Sequence, residues 1–175
     1  MKEIKAYIEA AEKGDSGAMY DLGCMYEYGE NVEQDYAKSM EWYLKAADKG
    51  NTDSMLAISV MFSDGRGVTQ DFDIADEWLI KAADNGDSVA ATLLARRFFD
   101  GASVEQDYKR AMKWFRILAD KGDSIAMRYI GDMYLAGLGV EKNFQEAMKW
   151  HKKADQNSNV VKNMVSNSGS CQINS

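Results

Sequence analysis

The segment Asp15–Gly50, DSGAMYDLGCMYEYGENVEQDYAKSMEWYLKAADKG, sets the architecture, because it recurs without a gap through the rest of the chain. Trp42 returns as Trp78, Trp114 and Trp150, each 36 residues on. Val32 returns as Val68, Val104 and Val140, and Gly29 as Gly65, Gly101 and Gly137. Gly50 returns as Gly86 and Gly122, and Ser158 breaks that series. Four repeats result: Asp15–Gly50, Asn51–Gly86, Asp87–Gly122 and Asp123–Ser158. A fixed period of this length marks an array in which each repeat buries its apolar face on a neighbour.

Each repeat reads as helix, turn, helix. Met19, Leu22, Gly23 and Tyr26 stand at i, i+3, i+4 and i+7, one face of a helix. Met55, Ile58, Ser59 and Phe62 repeat that stripe, as do Met127, Ile130, Gly131 and Tyr134. The small third residue suits close helix packing. The turns read YGENVEQD, DGRGVTQD, DGASVEQD and AGLGVEKN. Gly29 and its equivalents can take positive φ and end the first helix. Gly67 and Gly139 can do so two residues later, where Asn31 is the next-best residue and Ser103 the exception. Val32 and its equivalents are expected to plug the turn onto the core. Asp35, Asp71, Asp107 and Asn143 are the expected N-caps of the second helices. Only Asn143, with Glu146 three residues on, has the sequence of a full capping box. The second helices carry the tryptophans, expected as core residues, and end at Gly50, Gly86 and Gly122.

The first 14 residues fit the same template, since AYIEAAEKG aligns with WYLKAADKG. They predict a half-repeat cap over the first full repeat. After Ser158 the pattern is lost. Val160, Val161, Met164 and Val165 predict a short closing helix over 159–165, and 166–175 a flexible tail. The reading is a single domain over 1–165.

Composition supports a helical chain that packs a core. Of 175 residues 46% are hydrophobic, and there is no proline to interrupt a helix. The two cysteines, Cys24 and Cys171, share no motif, which predicts neither a disulfide framework nor a metal site. No stretch approaches the roughly 20 apolar residues of a membrane span. No signal-peptide pattern opens the chain, so a cytoplasmic location is expected, or a periplasmic or secreted one if a signal peptide has been removed. A net charge of −7 disfavours nucleic acid as a partner.

The pattern A-x-x-x-L-G-x-M-Y-x-x-G-x-x-V-x-Q-D-Y-x-K-[AS]-x-x-W-Y-x-K-A-A-x-x-G, carried almost whole by Ala18–Gly50, resembles the Sel1-like repeat, a relative of the tetratricopeptide repeat. The resemblance covers residues 15–158. It implies an all-α fold, a right-handed α–α superhelix, and a role as an adaptor that holds protein complexes together. It implies no catalytic residues and no cofactor. Arg97, Ala102, Ser103 and Ser158 depart from the pattern.

Positions that vary most between the repeats are candidates for recognition. They are positions 6, 10 and 13 of each repeat: Tyr20, Cys24 and Glu27; Leu56, Val60 and Ser63; Thr92, Arg96 and Phe99; Arg128, Asp132 and Leu135. Their spacing puts each trio on one helix face. In solenoids of this type the first helices line the concave side, and aromatics with arginine suit an interface. The competing reading is that curvature buries these residues in part and they bind nothing. Charge is uneven as well: the first two repeats each sum to −5, the third to +2 and the fourth to 0. A partner of complementary polarity would dock in one orientation, whereas solvated helix faces would account for the same charges.

Little points to chemistry. His151, the lone histidine, replaces Tyr43 at its position, so a packing or surface role outweighs catalysis. The ligands of a zinc site are missing. Asp64-Gly65-Arg66-Gly67 lacks the alternating acids and closing Glu of a calcium loop. Cys24, on the candidate face, is either an accessible thiol or an inert one. The expectation is a non-catalytic protein that binds another protein or peptide. The alternative is a bacterial immunity or inhibitor protein that neutralises one toxin or enzyme.

Overall fold

Helices in this chain are set by punctuation, and the same punctuation recurs every 36 residues. The computed structural model describes residues 2–101 and 105–168, with side chains over 4–101 and 105–158. Ala102, Ser103, Val104, Cys171 and the end of the expected tail lie outside the described residues, as do the side chains of Val160, Val161, Met164 and Val165. Nine helices and no strand form among the described residues. They are α1 Lys2–Glu12, α2 Ser16–Tyr28, α3 Tyr36–Asp48, α4 Thr52–Asp64, α5 Phe72–Asp84, α6 Ser88–Asp100, α7 Tyr108–Asp120, α8 Ser124–Ala136 and α9 Phe144–Ser168. The chain forms two compact bodies, Met1–Ala91 and Thr92–Ser175.

The first helix of each repeat starts on an oxygen and ends on a glycine. Asp15, Asn51 and Asp123 accept backbone N–H groups from the first turns of α2, α4 and α8, and Asp87 accepts from Ala90. These caps satisfy amides that the helix itself leaves orphaned. Gly29, Gly65 and Gly137 then take the left-handed conformation and donate back to the carbonyls of Met25, Met61 and Met133. Gly67 and Gly139 are needed for a second reason besides their positive φ of 67°. A Cβ on Gly67 would lie 2.2 Å from Tyr36 Cβ, and one on Gly139 would lie 2.6 Å from the Tyr108 carbonyl carbon. The turn of one repeat therefore sits directly on the start of the preceding second helix.

Asp35, Asp71, Asp107 and Asn143 cap the second helices as expected. The full capping box at Asn143 does not form. Its own N–H is already donated to the Tyr134 carbonyl at 2.9 Å, and the Glu146 carboxylate takes Lys149 instead, at 2.6 Å. The reason is general: Asp35, Asp71 and Asp107 donate in the same way to Tyr26, Phe62 and Phe98. No cap N–H is left for a side chain to satisfy. The turns carry a further clamp that their sequence does not announce. Gln34, Gln70 and Gln106 each donate through Nε2 to the carbonyl of Glu27, Ser63 or Phe99, at 2.7 Å. Lys142 stands at this place in the fourth repeat.

In the first body α1 packs on α2, α2 on α3, α3 on α4 and α4 on α5, and α2 also touches α4. Its core includes Met19, Leu22, Met25 and Ala46, with Val32 and Trp42 packed against it, so Val32 does plug its turn. In the second body α7 packs on α8 and α8 on α9 around Phe115, Leu118, Met127, Ile130 and Met133. Only Trp114 is a core tryptophan, 3% exposed. Trp42, Trp78 and Trp150 are half-buried. Each of these three indoles carries a lysine ammonium from one turn on, 3.9–4.8 Å from the ring centroid. A long amphipathic stem can shield an aromatic ring while its charge stays in water. The deeper aromatic is the next residue, Tyr43 or Phe115.

The separate closing helix expected over 159–165 is not what forms. Phe144–Ser168 is one helix of 25 residues. The earlier second helices are followed by glycines of φ 83–93° at Gly50, Gly86 and Gly122. Ser158 stands in that place, and a non-glycine residue resists the left-handed turn, so the helix runs on.

Among the described residues, two hydroxyls are buried without a hydrogen-bond partner, Ser39 Oγ and Ser54 Oγ. The other three repeats have Ala75, Ala111 and Ala147 for Ser39, and Ala18, Ala90 and Ala126 for Ser54. Ser39→Ala and Ser54→Ala should each raise stability by about 1 kcal/mol, because each removes an unpaired buried hydroxyl and improves helix propensity. Urea unfolding followed by circular dichroism measures this; a lower midpoint for either variant would show that the hydroxyl is paired.

Candidate functional site

Side chains at positions 6 and 10 of the first helices project beside the packing stripe, and the structure separates them from position 13. In the first body Tyr20 and Cys24 on α2 and Leu56 and Val60 on α4 come from helices that touch. Tyr20, Cys24 and Leu56 are half-buried, and Val60 is 43% exposed. The Tyr20 ring leans on Tyr43 with centroids 5.7 Å apart. Burial raises the Tyr20 hydroxyl above its ordinary pKa, with Cys24 and the charge of Asp53 adding to it. Cys24 Sγ accepts from Tyr43 Oη at 3.2 Å. In the second body Thr92 is half-buried and Arg96 exposed. Arg128 reaches Asp155 at 3.1 Å, and Asp132 lies 3.0 Å from His151 Nε2; Arg128 and Asp132 are both exposed.

At position 13, Glu27 and Phe99 belong to the packing. Glu27, expected on the recognition face, is 4% exposed. One carboxylate oxygen accepts Tyr43 Oη at 2.7 Å and the other accepts Arg66 Nη1 at 2.9 Å. Arg66 also donates through Nε to Asp64 at 3.0 Å. Hydrogen bonding to Asp64 leads in raising the Arg66 pKa, with the charges of Asp64 and Glu27 adding to it. Burial leads in raising the Tyr43 hydroxyl. The Asp64–Gly67 turn thus holds its own cation, Arg66, on the Asp64 carboxylate. Phe99 lies in a ring cluster, 5.5 Å from Tyr108, 6.0 Å from Phe115 and 5.3 Å from Tyr129 between centroids. Ser63 and Leu135 are half-buried. The physical reason is position: residue 13 ends the first helix, where the chain turns back onto the second helix and, at Glu27, meets the turn of the next repeat.

The small residue of the first helix has a partner that its own spacing left unassigned. A Cβ on Gly23 would lie 2.4 Å from the Tyr43 ring, and one on Gly131 would lie 2.2 Å from the His151 ring. The pairs are Gly23–Tyr43, Ser59–Leu79, Ala95–Phe115 and Gly131–His151 by repeat position. His151 is therefore a packing residue whose outer nitrogen meets Asp132. The signal was available in the sequence as paired variation 20 residues apart.

Among the described residues no group of three or more His, Cys, Asp or Glu side chains is placed to hold a metal ion. No helix among them is long and apolar enough to cross a membrane.

The model of the family described as Sel1 repeat matches residues 16–51, 52–87, 88–123 and 124–154. No curated protein matches the chain significantly. A protective antigen of uropathogenic Escherichia coli strains displaying an SLR fold is 31% identical, with a TM-score of 0.68, over 87% of this chain and 33% of that one. A Sel1 repeat protein from Oxalobacter formigenes is 32% identical, with a TM-score of 0.66, over 91% of this chain and 65% of that one. The chain thus spans a third to two thirds of the length of these relatives. An immunity protein from Pseudomonas aeruginosa is 15% identical, with a TM-score of 0.48, over 88% of this chain and 73% of that one. A likeness that distant carries no argument about function and adds nothing to the inhibitor reading.

Proposed function

The chain belongs to the Sel1 repeat family, and from that premise we propose that it is a non-catalytic module that binds another protein through positions 6 and 10 of its first helices. Sel1 repeat proteins generally mediate protein–protein interaction. The observation that carries the reading is Val60. Repeat packing is satisfied by Met55, Ile58, Ser59 and Met61, all buried, yet Val60 stands 43% exposed on the side that holds Leu56. Tyr20 and Cys24, at the same positions of α2, are half-buried against Tyr43 and leave the rest of their surface outside that contact. In the second body the same positions offer Arg96, Arg128 and Asp132, which are polar and suited to register and specificity.

The test begins with capture from native lysate and identification of the retained protein by mass spectrometry, followed by binding measurements with that purified partner. Val60→Asp should weaken binding by about tenfold or more, as expected for an anchor placed in a desolvated contact. The joint change Arg96→Glu and Arg128→Glu should weaken it further, with helicity unchanged. Leu44→Asp, a change at an exposed apolar residue of a second helix, should leave it intact. Undiminished binding in both first-helix variants would defeat the reading.

A further inference from the structure

Helix α7 carries four exposed cations, Lys109, Arg110, Lys113 and Arg116, with no acid between its N-cap Asp107 and its last residue Asp120. Lys109, Lys113 and Arg116 stand at i, i+4 and i+7, in one row about 10 Å long, and Arg110 flanks them. The same four positions hold one cation and one acid in α3, two acids in α5, and two cations with one acid in α9. The repeat does not require this charge, because the other three second helices pack without it.

Three of the four cationic heads are held by aromatic groups of the chain itself. The Arg110 guanidinium lies 5.2 Å from the Phe98 ring centroid, and Lys113 Nζ lies 4.7 Å from that of Trp114. Arg116 Nη2 donates to Tyr134 Oη at 2.8 Å. Arg110 also reaches Asp107 at 3.5 Å. Holding a long side chain in place reduces the entropy lost when a ligand binds it. Arg116 uses one of the five N–H groups of a guanidinium in this contact, which leaves others to fork onto a carboxylate.

We propose that this face of α7 docks an acidic segment of another protein, with carboxylates recurring every three or four residues. Charge complementarity selects the sign. The dimensions select the class: the row is short, and Asp120, at i+11 from Lys109, continues it with an acid that would repel a long polyanion running past that end. The surface is separate from positions 6 and 10, and it stands or falls independently of them.

The experiment uses the whole chain and a fluorescein-labelled helical peptide of about 16 residues, with glutamate at i, i+4, i+7 and i+11 in an alanine background. Anisotropy at about 50 mM and about 200 mM salt should show binding that weakens several-fold with salt. Lys113→Glu with Arg116→Glu should reduce binding by about tenfold or more, and Lys113→Gln with Arg116→Gln by less. Lys149→Glu on α9 should leave it unchanged. Far-UV circular dichroism checks that each variant is folded. Absence of binding at low salt, or equal loss in the α9 variant, overturns the proposal. So does equal or tighter binding of a single-stranded DNA of about 20 nucleotides, or of phosphatidylcholine vesicles with about 30% phosphatidylserine, because either would make the face a general phosphate surface.

Discussion

Gly23→Ala should destabilise the first repeat by about 2 kcal/mol, although alanine is the better helix former. Two effects oppose each other. Moving from glycine to alanine inside a helix gains about 1 kcal/mol of propensity. The added Cβ would meet the Tyr43 ring at 2.4 Å, and that ring, 1% exposed, is fixed by the hydrogen bonds of its hydroxyl to Glu27 and Cys24. It cannot swing aside without breaking them, so the overpacking cost lies near the upper end of the usual range, about 3 kcal/mol. Packing therefore wins. The chain contains its own control, because the second repeat pairs Ser59 with Leu79 at the same two places. In a Tyr43→Leu background the Gly23→Ala change should become neutral or stabilising. The readout is hydrogen exchange at the amides of α2 and α3, which reports on this repeat even if the array does not unfold in one step. Equal loss of protection in both backgrounds would mean that Tyr43 is not the obstacle.

Arg66→Ala should cost about 2 kcal/mol and loosen the join between the first and second repeats. It would leave the Glu27 carboxylate, 4% exposed, with Tyr43 as its remaining partner. Removing one member of a fully buried pair costs about 3–5 kcal/mol. Arg66 is 34% exposed, so water screens the pair and the figure is reduced accordingly. The double change Glu27→Leu with Arg66→Leu should be far milder than Arg66→Ala alone, since an apolar pair of similar volume needs no compensation. The third and fourth repeats already hold apolar residues, Phe99 and Leu138, at the corresponding places. Urea unfolding of the two singles and the double gives the coupling energy directly. A double variant as unstable as the sum of the singles would show that the ion pair contributes nothing as a pair.

Both predictions concern residues whose roles the sequence showed only in part. Gly23 was legible as a small residue in an apolar stripe, but its partner was not. Glu27 lay in a set chosen because it varied between repeats, and that criterion does not separate a residue free to vary from one matched to a neighbour that varies with it. Glu27 is matched to Arg66 of the next repeat. Phe99 is likewise matched to its neighbours, in a ring cluster in place of an ion pair. The tryptophans misled in the opposite sense: strict recurrence suggested the core, whereas three of the four sit at its edge beneath lysines. Ser158, noted as the break in the glycine series, was in fact the signal for the long α9.

The order of residues alone was enough for the all-α class, the register of the four repeats, the stops of the first helices and the N-caps of the second. These are local matters: 3.6-residue periodicity, a glycine that can take positive φ, and a carboxylate or amide oxygen beside orphan amides act within a few residues of each other. Which varying residues face water, which are matched inside, and how the cations of α7 are held emerged only from the folded chain. Those outcomes depend on side chains that are distant in the chain and meet across helices, as Tyr43 and Arg66, 16 and 39 residues away, meet Glu27. Burial at such a place is set by the neighbour's shape and charge, and neither is encoded in the residue's own spacing.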